Sequence, residues 1–227
     1  MQNIEETPRQ QASLNTSQKE ELLISRWAAL IGALILGGLF AALPEHITLG
    51  FGWVPLILIV IIVLAISFPH LIRRPFSPST TRILSLIILG VVTLALIGAV
   101  SLMIYTLPHR DQSQAGTLLR TAGLLWFANI LVFALWYWEI DGGGPLQRHL
   151  NKHQAADFMF PQQADGNTRG WAPHFLDYLF VAFTAATALS PTDTYPLSRW
   201  AKMLMIIEAI IAMMTIVILA GRAVNIL

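Results

Sequence analysis

Five long apolar stretches constrain this chain more than any other feature of its sequence. Each is long enough to cross the hydrocarbon core of a bilayer as a helix, which takes about 20 residues and at least about 17. Hydrophobic residues make up 55% of the chain and charged residues only 12%, well below the share in soluble domains. The sequence therefore predicts an all-α, polytopic transmembrane helix bundle in a lipid bilayer. The five predicted spans are Trp27–Leu43, Thr48–Phe68, Ile83–Leu107, Leu118–Trp138 and Met203–Leu227.

A sixth apolar segment, Phe175–Ser190, is shorter than these five. At a rise of about 1.5 Å per residue its helix covers about 24 Å, against about 30 Å for the hydrocarbon core. It contains Asp177 near its start, and an acidic side chain favours the first turn of a helix. Two alternatives are open for this segment: it crosses a locally thinned bilayer, or it dips into the membrane and returns.

The predicted spans divide the chain into three regions. Residues 1–22 are polar and too poor in apolar side chains to form a packed core, so we expect a disordered tail. Residues 23–110 hold the first three transmembrane helices, and residues 111–227 hold the remainder. This last region is predicted to contain a helix at 118–138, a polar connector at 139–174, a short helix at 175–190, a turn at 191–197 and a helix at 203–227.

Several classes of function have no support in the sequence. The net charge of +1 gives no overall field that attracts nucleic acid. The absence of cysteine excludes disulfide bonds, thiolate metal sites and a cysteine nucleophile. The chain carries no nucleophile motif and no glycine loop followed by Lys-Ser/Thr. The sequence therefore predicts no catalytic residues, no cofactor and no enzymatic activity.

The connector contains a spacing that is typical of a metal site. His149, His153 and Asp157 follow one another at intervals of four, so on a helix they would share one face and could bind zinc. The general-base glutamate of a His-Glu-x-x-His motif is missing, because Leu150 follows His149. The glycine run Gly142–Gly144 predicts the end of the fourth helix just before these residues. A solvated loop is therefore favoured over a metal site.

Three polar residues inside predicted helices, Glu208, Thr184 and Asn129, are candidates for a role in the membrane. Glu208 lies about 9 Å along the last helix from Lys202. It is either a functional intramembrane acid or the acceptor of a hydrogen bond from Thr184 or Thr187 that joins two helices. Asn129 is predicted to form an interhelical hydrogen bond rather than to bind a ligand.

The region from Asp177 to Leu227 combines a short apolar helix, a polar turn with prolines and a long apolar helix. The short helix ends in Phe-Thr-Ala-Ala-Thr at 183–187, Asp193 and Pro196 follow in the turn, and the long helix carries the runs 208–212 and 221–224. In these features the region resembles the pore domain of the two-helix potassium-channel superfamily, where a pore helix precedes the selectivity filter and an inner helix. The fourth apolar stretch is then similar to the outer helix. The resemblance implies a homo-oligomer, a tetramer, around a central axis.

The stretch aligned with the selectivity filter departs from that family. A potassium filter is Thr-Val-Gly-Tyr-Gly, whose stacked backbone carbonyls replace the water around the ion. Here both glycines are absent, Pro191 fixes its own φ, and one extra residue is present, so potassium selectivity is not expected. The chain also resembles uncharacterised bacterial membrane proteins with the same ending, a likeness that implies no function. The filter-like residues are Thr187, Ala188, Leu189, Ser190, Pro191, Thr192 and Asp193.

The distribution of lysine and arginine predicts the orientation, because these residues accumulate in cytoplasmic loops. If residues 175–190 cross, six spans with a cytoplasmic N-terminus place ten of the 14 cations inside and four outside. If they re-enter and the C-terminus stays cytoplasmic, three lie inside and eleven outside. The bias therefore predicts six spans in the inner (plasma) membrane with both termini cytoplasmic, whereas the pore-domain resemblance implies re-entry.

Two hypotheses for the function follow. One is a channel-like protein that lets cations permeate without classical potassium selectivity. Thr187, Ser190, Thr192 and Asp193 are then the candidates to line the opening, with Glu208 below them. The other is a non-conducting membrane scaffold or accessory subunit derived from a channel fold, which the altered filter favours.

Overall fold

Helices make up most of the regular structure. The structure is a computed structural model that describes residues 27, 29–48, 53–54, 57, 60, 78–106, 115–168, 170–187 and 194–226. The helices are α1 (Ala29–Ala41), α2 (Glu45–Thr48), α3 (Pro78–Thr106), α4 (Ala115–Ile140), α5 (Pro145–Leu150), α6 (Phe175–Thr187) and α7 (Arg199–Ile226). Two short strands, β1 (Phe158–Met159) and β2 (Tyr195–Pro196), pair antiparallel, and 3₁₀ turns lie at Asp141–Gly143 and Pro161–Gln163.

Three of these helices, α3, α4 and α7, are long and apolar enough to cross a membrane, which indicates a membrane protein. Helix α3 begins at Pro78. Proline is favoured at the start of a helix, because the N–H that it lacks would have no partner within the helix at that position. Helix α7 begins four residues before the predicted start. Its first turn is capped by Ser198, whose Oγ accepts a hydrogen bond of 3.1 Å from the N–H of Ala201.

The prediction of five clear spans is not confirmed. Helix α1 is described from Ala29 to Ala41, within the first predicted span. Most of the second predicted span, Thr48–Phe68, lies outside the described residues. The predicted tail at 1–22 and residues 188–193, which include most of the filter-like stretch, also lie outside them.

Helix α4 is the centre of the bundle. It packs against α3, α6 and α7, and Leu125, Phe133 and Tyr137 on it are completely buried. The indole Nε1 of Trp136 donates a hydrogen bond of 2.8 Å to Thr93 Oγ1, which joins α4 to α3. Because α4 is surrounded by other helices along its length, it determines where the shorter helix α6 can dock.

The connector between α4 and α6 is folded rather than a solvated loop. It contains α5, β1 and both 3₁₀ turns, and Phe158 and Phe160 in it are buried against the bundle. The predicted end of the fourth helix at the glycine run is confirmed, because Gly142, Gly143 and Gly144 have φ values of 58°, 83° and 97°. These left-handed conformations favour glycine and turn the chain back onto the end of α4.

Candidate functional site

Helix α6 lies antiparallel alongside the second half of α4. At its start, the ring of Phe175 packs edge-on against Trp138, with centroids 6.2 Å apart. Two turns later, Phe183 packs against Trp126 at 6.1 Å. Helix α6 covers about 20 Å and α4 about 39 Å, so α6 ends near the middle of the bundle.

The chain returns from there to the end of the bundle at which α6 began. Strand β2 pairs with β1 in the connector, with Phe158 opposite Pro196 and Met159 opposite Tyr195. The N–H of Leu197 also donates a hydrogen bond of 2.8 Å to the carbonyl of Asp157. The six residues between Thr187 and Thr194 can reach about 25 Å, more than the length of α6. The described residues therefore place both flanks of this segment at the same end of the bundle, which favours re-entry of residues 175–190 over the predicted crossing of the membrane.

The start of α6 is fixed by its own acidic residue. The carboxylate Oδ2 of Asp177 accepts a hydrogen bond of 2.6 Å from the N–H of His174, the residue before the helix. This bond satisfies one of the amides that lack a partner at a helix start, and the negative charge suits that end of the helix dipole. The interpretation of Asp177 as a helix-start residue is confirmed.

Two threonines near the end of α6 bond to their own helix. The hydroxyl of Thr184 donates to the carbonyls of Phe180 and Val181, and that of Thr187 donates to Phe183 and Thr184. Neither reaches Glu208, so the predicted threonine–glutamate bond is wrong. Of the seven filter-like residues only Thr187 is described, and it lies at the inner end of α6.

A buried cluster of hydrogen-bonded polar groups joins the connector to the start of α6. The Oδ2 of Asp141 accepts a hydrogen bond of 2.5 Å from the hydroxyl of Tyr178. Its Oδ1 accepts from the backbone amides of Asp157 and Phe158, at 3.0 and 3.1 Å. One carboxylate thus binds the end of α4, strand β1 and helix α6 together.

Arg148 of α5 completes this cluster. One guanidinium nitrogen, NH1, donates to the carbonyls of Trp138 and Asp141, at 2.6 and 2.8 Å, which caps the C-terminal end of α4. The guanidinium also lies over the rings of Trp138 and Tyr178, 4.6 and 5.1 Å from their centroids. It therefore supplies a positive charge near the Asp141 carboxylate in a place that water does not reach.

A second buried polar cluster lies deeper, between α4 and α7. The hydroxyl of Tyr137 donates a short hydrogen bond to Glu208 Oε2. The amide Nδ2 of Asn129 donates to the backbone carbonyl of Glu208 at 3.3 Å, which confirms the predicted interhelical bond of Asn129. Glu208 is completely buried and bonds to Tyr137 of α4, and its place below an opening stays a prediction.

The geometry of His149, His153 and Asp157 does not support the weaker alternative of a zinc site. Helix α5 ends at Leu150, and Lys152 and His153 have positive φ values, so the spacing of four never lies on one helical face. The rings of His149 and His153 do meet, with centroids 5.6 Å apart, but Asp157 Oδ2 accepts a hydrogen bond from the N–H of Gly142. Within the described part of the chain, no group of three or more His, Asp or Glu residues is arranged to hold a metal ion.

We expect the protonation of His153 to make the stability of the folded protein depend on pH in the acidic range. Burial, together with His149, Arg148 and His174 nearby, lowers the pKa of His153 from 6.5 to about 4. Between pH 6.5 and about 4 the unfolded chain therefore takes up a proton at His153, whereas the folded chain does not. The contribution of His153 to the free energy of unfolding is fully present above pH 6.5 and is lost as the pH falls towards about 4.

We expect His153→Asn to flatten this acid dependence, because asparagine does not titrate and tolerates the positive φ at this position. Thermal midpoints of wild type and variant, measured from neutral to acidic pH, test this. Equal slopes in the two proteins would contradict the assignment to His153.

The sequence indicated Glu208 and Asn129 but missed Tyr137, Asp141, Arg148 and Tyr178. The one available signal for Asp141 was an acid placed directly between an apolar helix and a glycine run. The chain matches no protein-family model, no curated protein and no solved structure with which it was compared.

Proposed function

We propose that this chain is a channel-like membrane protein in which the α6 hairpin lines a pathway for cations. The observation that carries the proposal is the re-entrant course of α6. The helix enters from the connector end, stops near the middle of the bundle, and the chain is back beside β1 at residue 195. A helix that dips and returns places backbone and short polar side chains at mid-membrane depth, where transported ions are contacted.

The pathway requires several copies of the chain around an axis, because a single hairpin encloses no pore. Helix α7 has an apolar face that no described residue covers, and this face can meet lipid or a second copy. The pore-domain resemblance favours four copies. The face includes Met203, Ile206, Ile210, Met213 and Val217.

Cations rather than anions are the proposed substrates. The segment between α6 and β2 carries Asp193 and no cationic residue, so several copies would bring several carboxylates to one opening. The absence of the filter glycines argues against selection of dehydrated potassium.

Conduction is tested by reconstituting the purified chain in liposomes and following cation uptake. We expect uptake by wild type and a several-fold lower rate for Asp193→Asn, because the variant loses the attracting charge. Asp165→Asn, which removes an exposed carboxylate of the connector, is the matched control and should keep the wild-type rate. Impermeable liposomes at high protein load would overturn the proposal.

We further propose that the connector faces the cytoplasm and that the C-terminus lies on the other side. The connector end of the bundle holds Arg82, which lies beside Gly143 and Gly144, together with Arg148, Lys152, Arg199 and Lys202. Arg120, near the start of α4, lies at the opposite end. With five spans and a cytoplasmic N-terminus, re-entry from the cytoplasmic side places eleven of the 14 cations inside.

This orientation reconciles re-entry with the charge bias, and it is tested by labelling single cysteines with a membrane-impermeant reagent. The chain has no native cysteine. Gln163 is unsuitable because it is buried and bonds to Phe160 and His153, whereas the neighbouring Gln162 is exposed. In intact cells we expect Gln162→Cys to be protected and Thr117→Cys, at the opposite end of α4, to react. The reverse pattern would place the connector outside.

The second candidate is a non-conducting scaffold or accessory subunit. The folded connector supports it, because a buried network around Asp141 makes a rigid surface from residues 141–168. A partner protein that is captured by the full chain and lost on disruption of this surface, with no cation uptake in liposomes, would favour this function.

A further inference from the structure

We propose that Glu208 holds an exchangeable proton inside the bundle, next to Asn129 and Tyr137. The proton would bind between α4 and α7, whether or not the chain conducts cations. Three buried residues, Asn129, Tyr137 and Glu208, form the site.

The cluster leaves two buried oxygens without a hydrogen-bond donor. Tyr137 donates to Glu208 Oε2, and the Asn129 amide donates to the backbone carbonyl of Glu208. The remaining oxygens, Glu208 Oε1 and Asn129 Oδ1, are both buried and have no partner. Two acceptors without a donor in one cluster are costly, because each gave up its bonds to water.

A single hydrogen atom resolves this shortage. If Glu208 carries a proton on Oε1, that oxygen becomes a donor, and the unpaired Oδ1 of Asn129 becomes an available acceptor. A metal ion fits less well, because hard cations such as calcium and magnesium take about six or more oxygen ligands and only two oxygens are unpaired here.

No described cation compensates a charge on Glu208. Phe133 lies between Asn129 and Tyr137 on the inner face of α4, and Ile211 and Ala212 follow Glu208 on the buried face of α7. The other charged groups on the packed helices lie towards the helix ends. At the connector end these are Arg82 on α3, Glu139 on α4, Asp177 on α6, and Arg199 and Lys202 on α7, with Asp141 in the turn after α4; at the opposite end they are Arg120 on α4 and Arg222 on α7. Tyr137 is therefore the one titratable group bonded to Glu208 among the described residues.

The protonation state of Glu208 is thereby linked to the contact between α4 and α7. The neutral acid leaves the interface free of charge and supplies the missing donor. Loss of the proton puts an uncompensated carboxylate between two helices with apolar surroundings, which weakens their packing. A proton taken up or released here would shift the position of α7 relative to α4.

Infrared spectroscopy of the full chain in detergent tests the site directly. In neutral buffer we expect the carbonyl band of a protonated carboxylic acid, which shifts in heavy water and disappears reversibly in alkali. The band should be lost in Glu208→Gln and retained in Glu45→Gln, which removes an exposed carboxylate. A wild-type spectrum without the band at neutral pH would overturn the proposal. Loss of the band on adding sodium at constant pH would overturn it in favour of a metal ion.

A second measurement distinguishes a proton site from a site that needs a negative charge. Glutamine mimics the protonated acid, because its amide nitrogen donates and its oxygen still accepts from Tyr137. We expect Glu208→Gln to keep the wild-type thermal midpoint at neutral pH and to lose the drop seen in alkali. Glu208→Ala should unfold at lower temperature, since it leaves Tyr137 without its acceptor. A glutamine variant as unstable as the alanine variant would overturn the proposal.

Discussion

Replacing Arg148 with methionine is expected to lower the free energy of unfolding by about 3–5 kcal/mol, because two buried hydrogen bonds from a charged donor are lost, at about 1.5–3 kcal/mol each. Methionine keeps an unbranched apolar stem but leaves the carbonyls of Trp138 and Asp141 without their donor. It also removes the cation near the Asp141 carboxylate. The measurement is unfolding of the purified protein in detergent, followed by tryptophan fluorescence.

Lys152→Met is the matched control, because Lys152 is an exposed cation of the same connector. Its removal should change the unfolding free energy by well under about 1 kcal/mol. Arg148→Lys should not restore stability, since an ammonium cannot both bond two carbonyls and lie flat on two rings. Equal losses for the two methionine variants would show that the effect is one of net charge.

The second large effect is expected for Phe158→Ala, which should cost about 3–5 kcal/mol. The ring of Phe158 is completely buried and lies between two hydroxyl-bearing rings, 5.0 Å from Tyr137 and 6.3 Å from Tyr178. Tyr137 belongs to the Glu208 cluster and Tyr178 to the Asp141 cluster. The truncation therefore leaves a cavity between both polar clusters and lets water approach them.

Met159→Ala provides the comparison, because Met159 is the neighbouring residue of β1 and is only partly buried. Hydrogen exchange of the backbone amides gives a local readout. In Phe158→Ala we expect faster exchange at Asp157 and Leu197, whose N–H groups hold the connector and β2 in place. Unchanged exchange there would mean that the hairpin is fixed by other contacts.

The long helices could be predicted from the sequence because an apolar helix in a membrane needs only length and composition. Their ends could be predicted less well. Helix α7 includes Arg199 and Lys202, which the apolar criterion excluded, because exposed cations near the end of a span can reach the water.

The folded connector could not be predicted and re-entry was one of two open alternatives, because the contacts that decide both join residues far apart in sequence. The Tyr178–Asp141 bond spans 37 positions and the Tyr137–Glu208 bond spans 71. Local sequence patterns do not indicate hydrogen bonds between residues so far apart. Glu208 and Asn129 can be recognised because polar residues stand out in apolar helices, whereas no local pattern indicates a partner for Tyr137.

The predicted orientation depends on one assumption. The charge rule counts cations on two sides and therefore depends on the number of crossings assumed. The two residue pairs between β1 and β2 change that number. Once α6 re-enters, the same arginines and lysines favour a different location for the C-terminus.

The direction of α6 has an electrostatic consequence of its own. Aligned peptide dipoles give the C-terminal end of a helix a partial charge of about −0.5 elementary charge. That end of α6 points into the middle of the bundle, close to Thr187. In a bilayer such a field would be weakly screened, so this end of the helix would favour a positive charge beside it.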